Sequence, residues 1–299
     1  YVGGAWRIVS VSVPPPPFVG GRGLFGGGYA ASYSNVISYV TIATPGNATD
    51  FGDLTVARFN TSSCSNGSRG VFGGGTTGSD SNVIDYVTIS SAGNASDFGD
   101  LTAARQALAG LSDGTYGLFG GGVSSNVIDY ITISTTGNAV DFGNLTVARL
   151  GPGACSDGTY GLFGGGQGSS YENVIDYVTV STPGNAVDFG NLTVARTFVS
   201  ACSNATYGLF AGGYSAPNSL NVIDYVTIAT PSNATDFGDL TVARYTVGAC
   251  SNGTYGVFGG GGGSISNVID YVTVATPGNA TDFGDLTAAT TGLASCSGD

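Results

Sequence analysis

The chain has 299 residues and a formal net charge of −12, and all 8 of its basic residues are arginine. Glycine is abundant at 52 residues, whereas charged residues make up only 9%. This acidic balance disfavours nucleic acid or an anionic membrane surface as a partner, because both require basic patches. A hydrophobic share of 41% can fill a core and argues against disorder. No apolar run reaches the roughly 18 residues that cross a bilayer.

The first predicted element is the segment 1–21, which matches no later part of the chain. Trp6 is its only tryptophan, and Val9, Val11 and Val13 alternate with serine, which predicts a strand. The prolines at 14–17 form a stiff spacer. We expect these four apolar residues to contact another copy of the chain by strand addition. The alternative is a tail packed on its own domain. Because the chain opens at Tyr1 rather than Met, we expect a processed product without its signal peptide.

Six copies of one repeat follow, over residues 22–299. Each copy contains a motif of the type LFGGG, then NVIDYVTI, then GNATDFGDLT and VAR. The spacings between the phenylalanines of the first motif are 47, 47, 44, 47 and 48 residues. These phenylalanines are Phe25, Phe72, Phe119, Phe163, Phe210 and Phe258. The period is that of a four-stranded propeller blade.

Four strands are predicted in each copy. In four copies the first ends at an Asn-Gly or Asp-Gly pair, which is a strong hairpin signal. TYGVF is the second strand, NVIDYVTI is the third with its β-branched residues, and DFGDLTVA is the fourth. The first copy lacks a first strand, while residues 287–299 align with 241–253. The sequence therefore predicts an all-β, six-bladed β-propeller of four-stranded blades, closed by the C-terminal strand pairing into blade one, plus an N-terminal strand arm.

The repeat resembles the kelch repeat in four features. These are an arginine-led first strand, a second strand that ends in Gly-Gly, a tyrosine in the third strand, and an aromatic residue before the next unit. The resemblance covers about residues 22–299 and implies a β-propeller. Kelch repeats usually carry tryptophan where this chain has phenylalanine, so membership of the intracellular kelch family does not follow. The phenylalanines in question are Phe51, Phe98, Phe142, Phe189, Phe237 and Phe283.

A second resemblance concerns shorter stretches. YVGGAWR is similar to segments in tail and structural proteins of aquatic phages. The unit LFGGG, NVIDYVTI and GNATDFGDLT is similar to repeats in environmental viral and microbial sequences. This similarity implies no particular activity.

Two charged positions vary together among the repeats. Five blades carry arginine at the head of the first strand and aspartate in the third, whereas blade one has Thr290 and Ser38 there. Because an unpaired buried charge is costly, joint loss predicts one structural ion pair per blade. The alternative is simple drift of the terminal blade. The predicted pairs are Arg58 with Asp85, Arg105 with Asp129, Arg149 with Asp176, Arg196 with Asp224, and Arg244 with Asp270.

The cysteines share one repeat position, where blade three has Leu111, which predicts buried free thiols rather than a metal site or disulfides.

The recurring DFG lacks the lysine that a kinase needs, since the chain contains none. Paired aspartates such as Asp50 and Asp53 could hold Ca²⁺, but asparagine replaces the second in two blades. With no histidine and a single glutamate, Glu172, general bases are scarce. We expect no enzyme, no cofactor and no metal.

Asn-x-Ser/Thr acceptors recur once per blade near the fourth strand. Where valine at 140 or 187 removes one, asparagine at 144 or 191 creates another. This compensation predicts one N-glycan per blade, conditional on a eukaryotic secretory origin. The alternative is that blades three and four are recent duplicates. The predicted sites are Asn47, Asn94, Asn144, Asn191, Asn233 and Asn279.

Two functions are carried forward. The favoured one is a non-enzymatic structural subunit of an extracellular fibre, a head-to-tail homopolymer joined through residues 1–21 and coated with glycans. The other is a virion or cell-surface adhesin that binds surface carbohydrates. Its contacts would come from the variable loops between second and third strands, where Tyr29, Tyr33, Tyr171 and Tyr214 could stack on sugars.

Overall fold

The computed structural model describes residues 21–298 and contains six four-stranded antiparallel sheets arranged as the blades of a β-propeller. The predicted fold is confirmed, including the part that the C-terminal strand plays. Of the predicted N-terminal arm, only Gly21 belongs to the described residues. Within residues 21–298 there is no helix that could span a membrane.

Within each blade, the four strands are counted from the axis outwards. The first, innermost strands are β26 (Ala294–Gly298), β4 (Ser62–Ser65), β8 (Ala109–Ser112), β12 (Gly153–Ser156), β16 (Ser200–Ser203) and β22 (Gly248–Ser251). The second strands are β1 (Arg22–Gly26), β5 (Arg69–Gly73), β9 (Tyr116–Gly120), β13 (Tyr160–Gly164), β17 (Tyr207–Ala211) and β23 (Tyr255–Gly259).

The outer half of each blade follows the same order. The third strands are β2 (Val36–Thr41), β6 (Val83–Thr88), β10 (Val127–Thr132), β14 (Val174–Thr179), β20 (Val222–Thr227) and β24 (Val268–Thr273). The fourth strands are β3 (Thr49–Asp53), β7 (Ser96–Asp100), β11 (Val140–Asn144), β15 (Val187–Asn191), β21 (Thr235–Asp239) and β25 (Thr281–Asp285). A short hairpin, β18 (Tyr214–Ser215) with β19 (Asn218–Ser219), extends one loop of blade five.

The ring closes at blade one. β26 pairs antiparallel with β1, with Leu24 opposite Cys296, and completes the sheet β26-β1-β2-β3. The innermost strands contact one another in circular order, from β26 through β4, β8, β12, β16 and β22 back to β26. Closure of this kind leaves only the short inner edges of the first strands at the axis, where they face one another and are protected.

The core lies between blades and depends on glycine meeting a large side chain. A Cβ on Gly26 would lie 2.8 Å from the ring of Phe72 in the next blade, so the flat glycine backbone receives that ring. Cys64 likewise packs on Gly117 of blade three. Within each blade, the third-strand tyrosine meets the fourth-strand phenylalanine edge-on, as Tyr39 meets Phe51 at 5.9 Å between centroids.

The outer edge of each fourth strand is covered by the following blade. Gly93 and Ala95 of blade two donate backbone hydrogen bonds of 2.8 and 2.7 Å to the carbonyls of Phe51 and Asp53 in β3. Asn94 Oδ1 accepts a third from the Asp53 N–H at 3.1 Å. These contacts occupy edge groups that would otherwise invite pairing with another chain.

The ring has two faces. The loop face carries the loops between second and third strands, which pair with the connections between blades; Tyr29, for example, bridges Thr291. The turn face carries the tight turns after the first strands and those after the third strands. The described chain begins on the turn face, where Gly21 accepts a hydrogen bond from Ile42 at 2.8 Å and Arg22 lies opposite Gly298.

Candidate functional site

The candidate site is the centre of the loop face, and buried ion pairs fix the connections that form it. The structure pairs the five predicted arginines with the five predicted aspartates, and the side chains are at most 4% exposed. The nitrogen–oxygen distances are 2.5 Å for Arg58–Asp85, 2.6 Å for Arg105–Asp129, 3.1 Å for Arg149–Asp176, 2.9 Å for Arg196–Asp224 and 2.6 Å for Arg244–Asp270. The pairs are enclosed, which suits a structural role.

Each pair also ties the preceding blade to the next. Thr102, which follows β7, donates through Oγ1 to Asp129 at 2.6 Å, and Thr55 bonds Asp85 in the same way. The arginine additionally donates to backbone carbonyls, as Arg105 does to Gly121 at 3.0 Å. Burial raises the pKa of Asp85, while Arg58 and Thr55 oppose that shift. The aspartate and the backbone carbonyls together make a buried charge tolerable in this position, although Nε of Arg58, Arg105, Arg149 and Arg244 has no partner among the described residues.

Blade one lacks the pair. Thr290 and Ser38 occupy the two positions, and a cavity of about 110 Å³ lies beside them, lined also by Phe25 and Leu293. Thr290 instead donates to the carbonyl of Ala288 at 3.1 Å. The connection that closes the ring is therefore the one without an ionic tether.

A ring of six residues surrounds the axis two positions before each first strand, and we name it the axial collar. Its members share a left-handed backbone with φ between 52° and 64°. They are Asn60, Ala107, Gly151, Phe198, Thr246 and Gly292. This conformation costs a residue other than glycine about 1–2 kcal/mol.

Backbone hydrogen bonds run around the collar from blade to blade and close on themselves. In each blade, the backbone N–H of the collar residue, or of Val199 in blade five, donates to the carbonyl of the collar residue in the preceding blade. The bonds are Asn60 to Gly292 at 2.8 Å, Ala107 to Asn60 at 3.1 Å, Gly151 to Ala107 at 2.7 Å, Val199 to Gly151 at 3.2 Å, Thr246 to Phe198 at 3.2 Å, and Gly292 to Thr246 at 3.1 Å. The left-handed turn is what directs these groups across the blade boundaries.

The glycines at two collar positions are explained by their neighbours. The ring of Phe59 lies directly on Gly292, and a Cβ on Gly151 would lie 2.9 Å from Cδ1 of Phe198. Phe198 and Thr246, by contrast, adopt the same backbone with large or β-branched side chains. Their strain is borne although glycine satisfies the same position in other blades.

Aromatic side chains gather beside the collar in two groups. The first group is Tyr29, Tyr33 and Phe59, with centroid distances of 5.8 Å for Tyr29–Tyr33 and 6.0 Å for Tyr29–Phe59. The second group is Tyr171, Phe198, Tyr214 and Tyr245, with distances of 6.1 Å for Tyr171–Tyr214, 5.5 Å for Tyr214–Tyr245 and 6.0 Å for Phe198–Tyr245. All four tyrosines predicted for sugar stacking therefore belong to these groups.

The collar opens into a channel on the axis. A cavity of about 110 Å³ lies inside the collar, and a second of about 80 Å³ lies nearer the turn face. The described residues that line both are uncharged. At the turn-face end, serines close the first strands, and Ser65 donates to the Ser297 carbonyl at 2.6 Å. The channel presents hydroxyls, backbone and apolar side chains to whatever enters it.

The predicted glycosylation sites lie on the outer rim, at two different places. Asn47, Asn94, Asn233 and Asn279 are exposed and precede a fourth strand. Asn144 and Asn191 are half-buried and end a fourth strand, each lying beside an asparagine of the next blade at 3.4 Å. Asn144 and Asn191 thus each lie next to the residue of the following blade that occupies the repeat position of Asn47, namely Asn185 and Asn233.

The five cysteines are free and buried between blades. Burial raises the pKa of Cys250 to about 12, with a hydrogen bond from Ser295 opposing the shift, and burial raises the pKa of Cys64 as well. No group of three or more potential metal-ligating side chains occurs within residues 21–298.

Some predicted contacts lie outside the described residues, namely Trp6, Val9, Val11 and Val13. Sequence reasoning missed the collar residues Asn60, Phe198 and Thr246 and the neighbouring Phe59 and Tyr245. A signal was present, because the collar position changes among asparagine, alanine, glycine, phenylalanine and threonine while its surroundings repeat.

The chain is a six-bladed β-propeller. Comparison with models of protein families and with curated proteins finds no match for it. What the propeller does must therefore be argued from its surfaces.

Proposed function

We propose that this protein is a non-enzymatic subunit of an extracellular fibre, in which propellers join head to tail through residues 1–21. The observation that supports the proposal is the placement of two features on opposite faces. The described chain begins at Gly21 on the turn face. The aromatic groups and the collar cavity lie on the loop face.

A segment that leaves one face and binds the other face of a second copy makes a heterologous contact. Such a contact repeats without closing unless the rotation between copies happens to form a ring, so it builds a filament. The 20 residues before Gly21 could span at most roughly 60–70 Å. A blade whose strands have 4 to 6 residues is about 20 Å deep at roughly 3.3 Å per residue. The segment is long enough to reach a stacked neighbour.

Strand addition at the outer rim is less favoured as the mode of contact. The carbonyls of Phe51 and Asp53 in β3 already accept hydrogen bonds from blade two, and the bond to the Asp53 position recurs at the other fourth strands. A donor strand would have to displace them. The loop face offers unoccupied apolar surface, and it is the acceptor we favour.

The proposed fibre carries N-glycans on its rim at Asn47, Asn94, Asn144, Asn191, Asn233 and Asn279. Glycans there would surround each propeller at its outermost strands, away from the axial collar, so they are compatible with stacking along the axis. They would also compensate for a surface with few charges. The kelch-like pattern supports the propeller scaffold alone, and the similarity to phage structural proteins accompanies the second candidate function, a virion adhesin, rather than the glycosylated fibre.

The test compares the full chain with a chain that lacks residues 1–20, by negative-stain microscopy and light scattering. We expect filaments from the full chain and single discs from the shortened one. Circular dichroism and a cooperative melt show whether the shortened chain keeps its β structure. Discs alone from the full chain, at every concentration tried, would sink the fibre proposal.

The second candidate function is recognition of surface carbohydrate on the loop face. It is favoured by the gathering of Tyr29, Tyr33, Tyr171 and Tyr214 around an uncharged channel, since aromatic faces stack on sugars. Affinity electrophoresis in neutral polysaccharides tests it. A lectin would be supported if the polysaccharide retards the parent chain and the double variant Tyr29→Ala with Tyr33→Ala is no longer retarded. The control Val140→Ala, on the rim, should be retarded like the parent chain. Equal mobility with and without polysaccharide would exclude one for the glycans used.

A further inference from the structure

We infer that the axial collar is the receptor for the N-terminal segment of the neighbouring copy, and that Trp6 of that segment packs at the mouth of the cavity inside the collar. The inference rests on the head-to-tail assembly proposed above and names its contact. It is carried by the chemistry of the cavity, by the strain in the collar and by the arrangement of the two faces.

The cavity has a mixed lining, in which hydroxyls and backbone contribute more exposed surface than apolar side chains, and this suits a flat ring that carries a hydrogen-bond donor. Phe198, Leu108 and Val247 contribute apolar surface, and no charged side chain lines it among the described residues. The cavity has a volume of about 110 Å³ and is open rather than enclosed, so a flat ring can enter its mouth, whereas a strand cannot.

The polar side of the cavity includes a hydrogen-bond acceptor that has no donor among the described residues. The side-chain amide of Asn60 has no hydrogen-bond partner within residues 21–298, and it lies at the collar beside Gly292. Thr246, on the other side of Gly292 in the collar, already donates to the Tyr245 carbonyl or shares a proton with Thr291, each at 2.6 Å. Asn60 Oδ1 is thus available to an indole N–H, which donates and never accepts.

Backbone strain at the collar indicates that the side chains of Phe198 and Thr246 serve in binding. Glycine fits the collar in blades one and four, yet Phe198 and Thr246 hold φ values of 54° and 52°. Strain of this kind persists where a side chain is needed in one place and the surroundings enforce it. Phe198 belongs to the second aromatic group, where it lies 6.0 Å from Tyr245. These rings form the wall against which an inserted aromatic group would pack.

Trp6 is the side chain of the N-terminal segment that we assign to the collar. It is the only tryptophan in the chain, and buried tryptophans are the residues that most often anchor an interface. The 15 positions between Trp6 and Gly21 extend roughly 45 Å at about 3.1 Å each, which exceeds the depth of one propeller. To reach its own collar, the segment would have to cross the outer rim and return to the axis. The neighbour stacked on the turn face presents its collar directly.

The experiment uses the full chain and the fluorescence of Trp6, which reports on this segment alone. The double variant Phe198→Gly with Thr246→Gly removes the two side chains at positions whose backbone glycine accepts. Ala107→Gly is the matched control, since it makes the same backbone change without removing a large side chain. Emission wavelength, acrylamide quenching and filament formation are followed over a dilution series.

We expect shielded, blue-shifted Trp6 in filaments, and exposure on dilution. The double glycine variant and Trp6→Ala should each raise the concentration needed for assembly by at least about 10-fold, as loss of an anchoring side chain does. Ala107→Gly should match the parent chain.

Three results would contradict this. Filaments that form normally in the double variant overturn the collar as receptor and leave head-to-tail assembly standing. Shielding of Trp6 that persists in single discs on dilution means that the segment packs on its own propeller, which overturns the inference. Absence of filaments at any concentration removes the proposed function and the inference with it.

Discussion

Asn94 in blade two accepts a hydrogen bond through its Oδ1 from the backbone N–H of Asp53 in blade one, over 3.1 Å. The same bond joins every pair of adjacent blades. The other five are Asp100 to Asn138, Asn144 to Asn185, Asn191 to Asn233, Asp239 to Asn279 and Asp285 to Asn47, at 3.0 to 3.1 Å. Asn138 and Asn185 make it without being glycosylation acceptors. Asparagine at this position therefore has a structural purpose that is separate from any glycan.

The first prediction concerns that purpose. Asn138→Ala leaves the N–H of Asp100 without its acceptor, so we expect the free energy of unfolding to fall by about 1 kcal/mol. Urea denaturation of unglycosylated protein measures the change. Thr136→Ala, in the adjacent exposed turn, is the control and should change stability by less than about 0.5 kcal/mol. Equal stability of Asn138→Ala and the parent chain would show that the bond contributes nothing.

The second prediction separates the glycan from the asparagine. Thr49→Val destroys the acceptor triplet of Asn47 while keeping the asparagine and its bond to Asp285, as Val140 does in blade three. In protein made by a glycosylating host, we expect intact mass to fall by one glycan, with the melting of the deglycosylated protein unchanged. A parent chain whose mass does not change on enzymatic deglycosylation would refute glycosylation at these sites.

Much of the fold could be predicted because the repeats supply their own comparison. The alignment of 287–299 with 241–253 located the closing strand, and the joint absence of charge at Ser38 and Thr290 pointed to the ion pairs. The variation of the collar position among the repeats marks it as unusual, but its left-handed backbone could not be predicted in this way. Phenylalanine and threonine normally avoid a left-handed backbone, so their residue types at 198 and 246 conceal it. The coverage of the fourth-strand edges depends on the neighbouring blade, which strand patterns do not describe.

The third prediction concerns the buried pairs. Arg58→Met leaves the carboxylate of Asp85 buried without its main partner, and we expect a loss of about 3–5 kcal/mol in the free energy of unfolding. Asp85→Asn together with Arg58→Met should recover part of that loss, because no charge is then left buried. Chemical denaturation of the two single variants and the double variant measures the coupling. Strict additivity of the two changes would mean that the side chains do not interact.

The fourth prediction builds the missing pair into blade one. Thr290→Arg alone buries a guanidinium beside Ser38, and Ser38→Asp alone buries a carboxylate, so each is expected to destabilise the ring. Together they should be more stable than the sum of the single changes by about 0.5–3 kcal/mol, since the cavity of about 110 Å³ can receive the side chain. A double variant no better than that sum would show that blade one cannot adopt the geometry of the others.

The fifth prediction concerns pH and the thiols. Burial raises the pKa of Cys250 to about 12, whereas a thiol in the unfolded chain titrates near 9.0. Above pH 9 the unfolded state therefore loses protons that the folded state keeps. The stability that this thiol contributes is fully present below pH 9 and is lost as pH rises towards 12. The expected slope is on the order of 1 kcal/mol per pH unit for each thiol.

Urea denaturation between pH 8 and 11 measures that slope, and a variant with alanine at all five cysteine positions removes the thiol contribution while retaining the tyrosines and arginines. We expect the variant to show the shallower decline. Thiol labelling adds an independent readout: at pH 8 the five buried cysteines should react only at the rate at which the ring opens. Rapid labelling of the folded protein, or identical slopes for the two chains, would contradict burial of the thiols between blades.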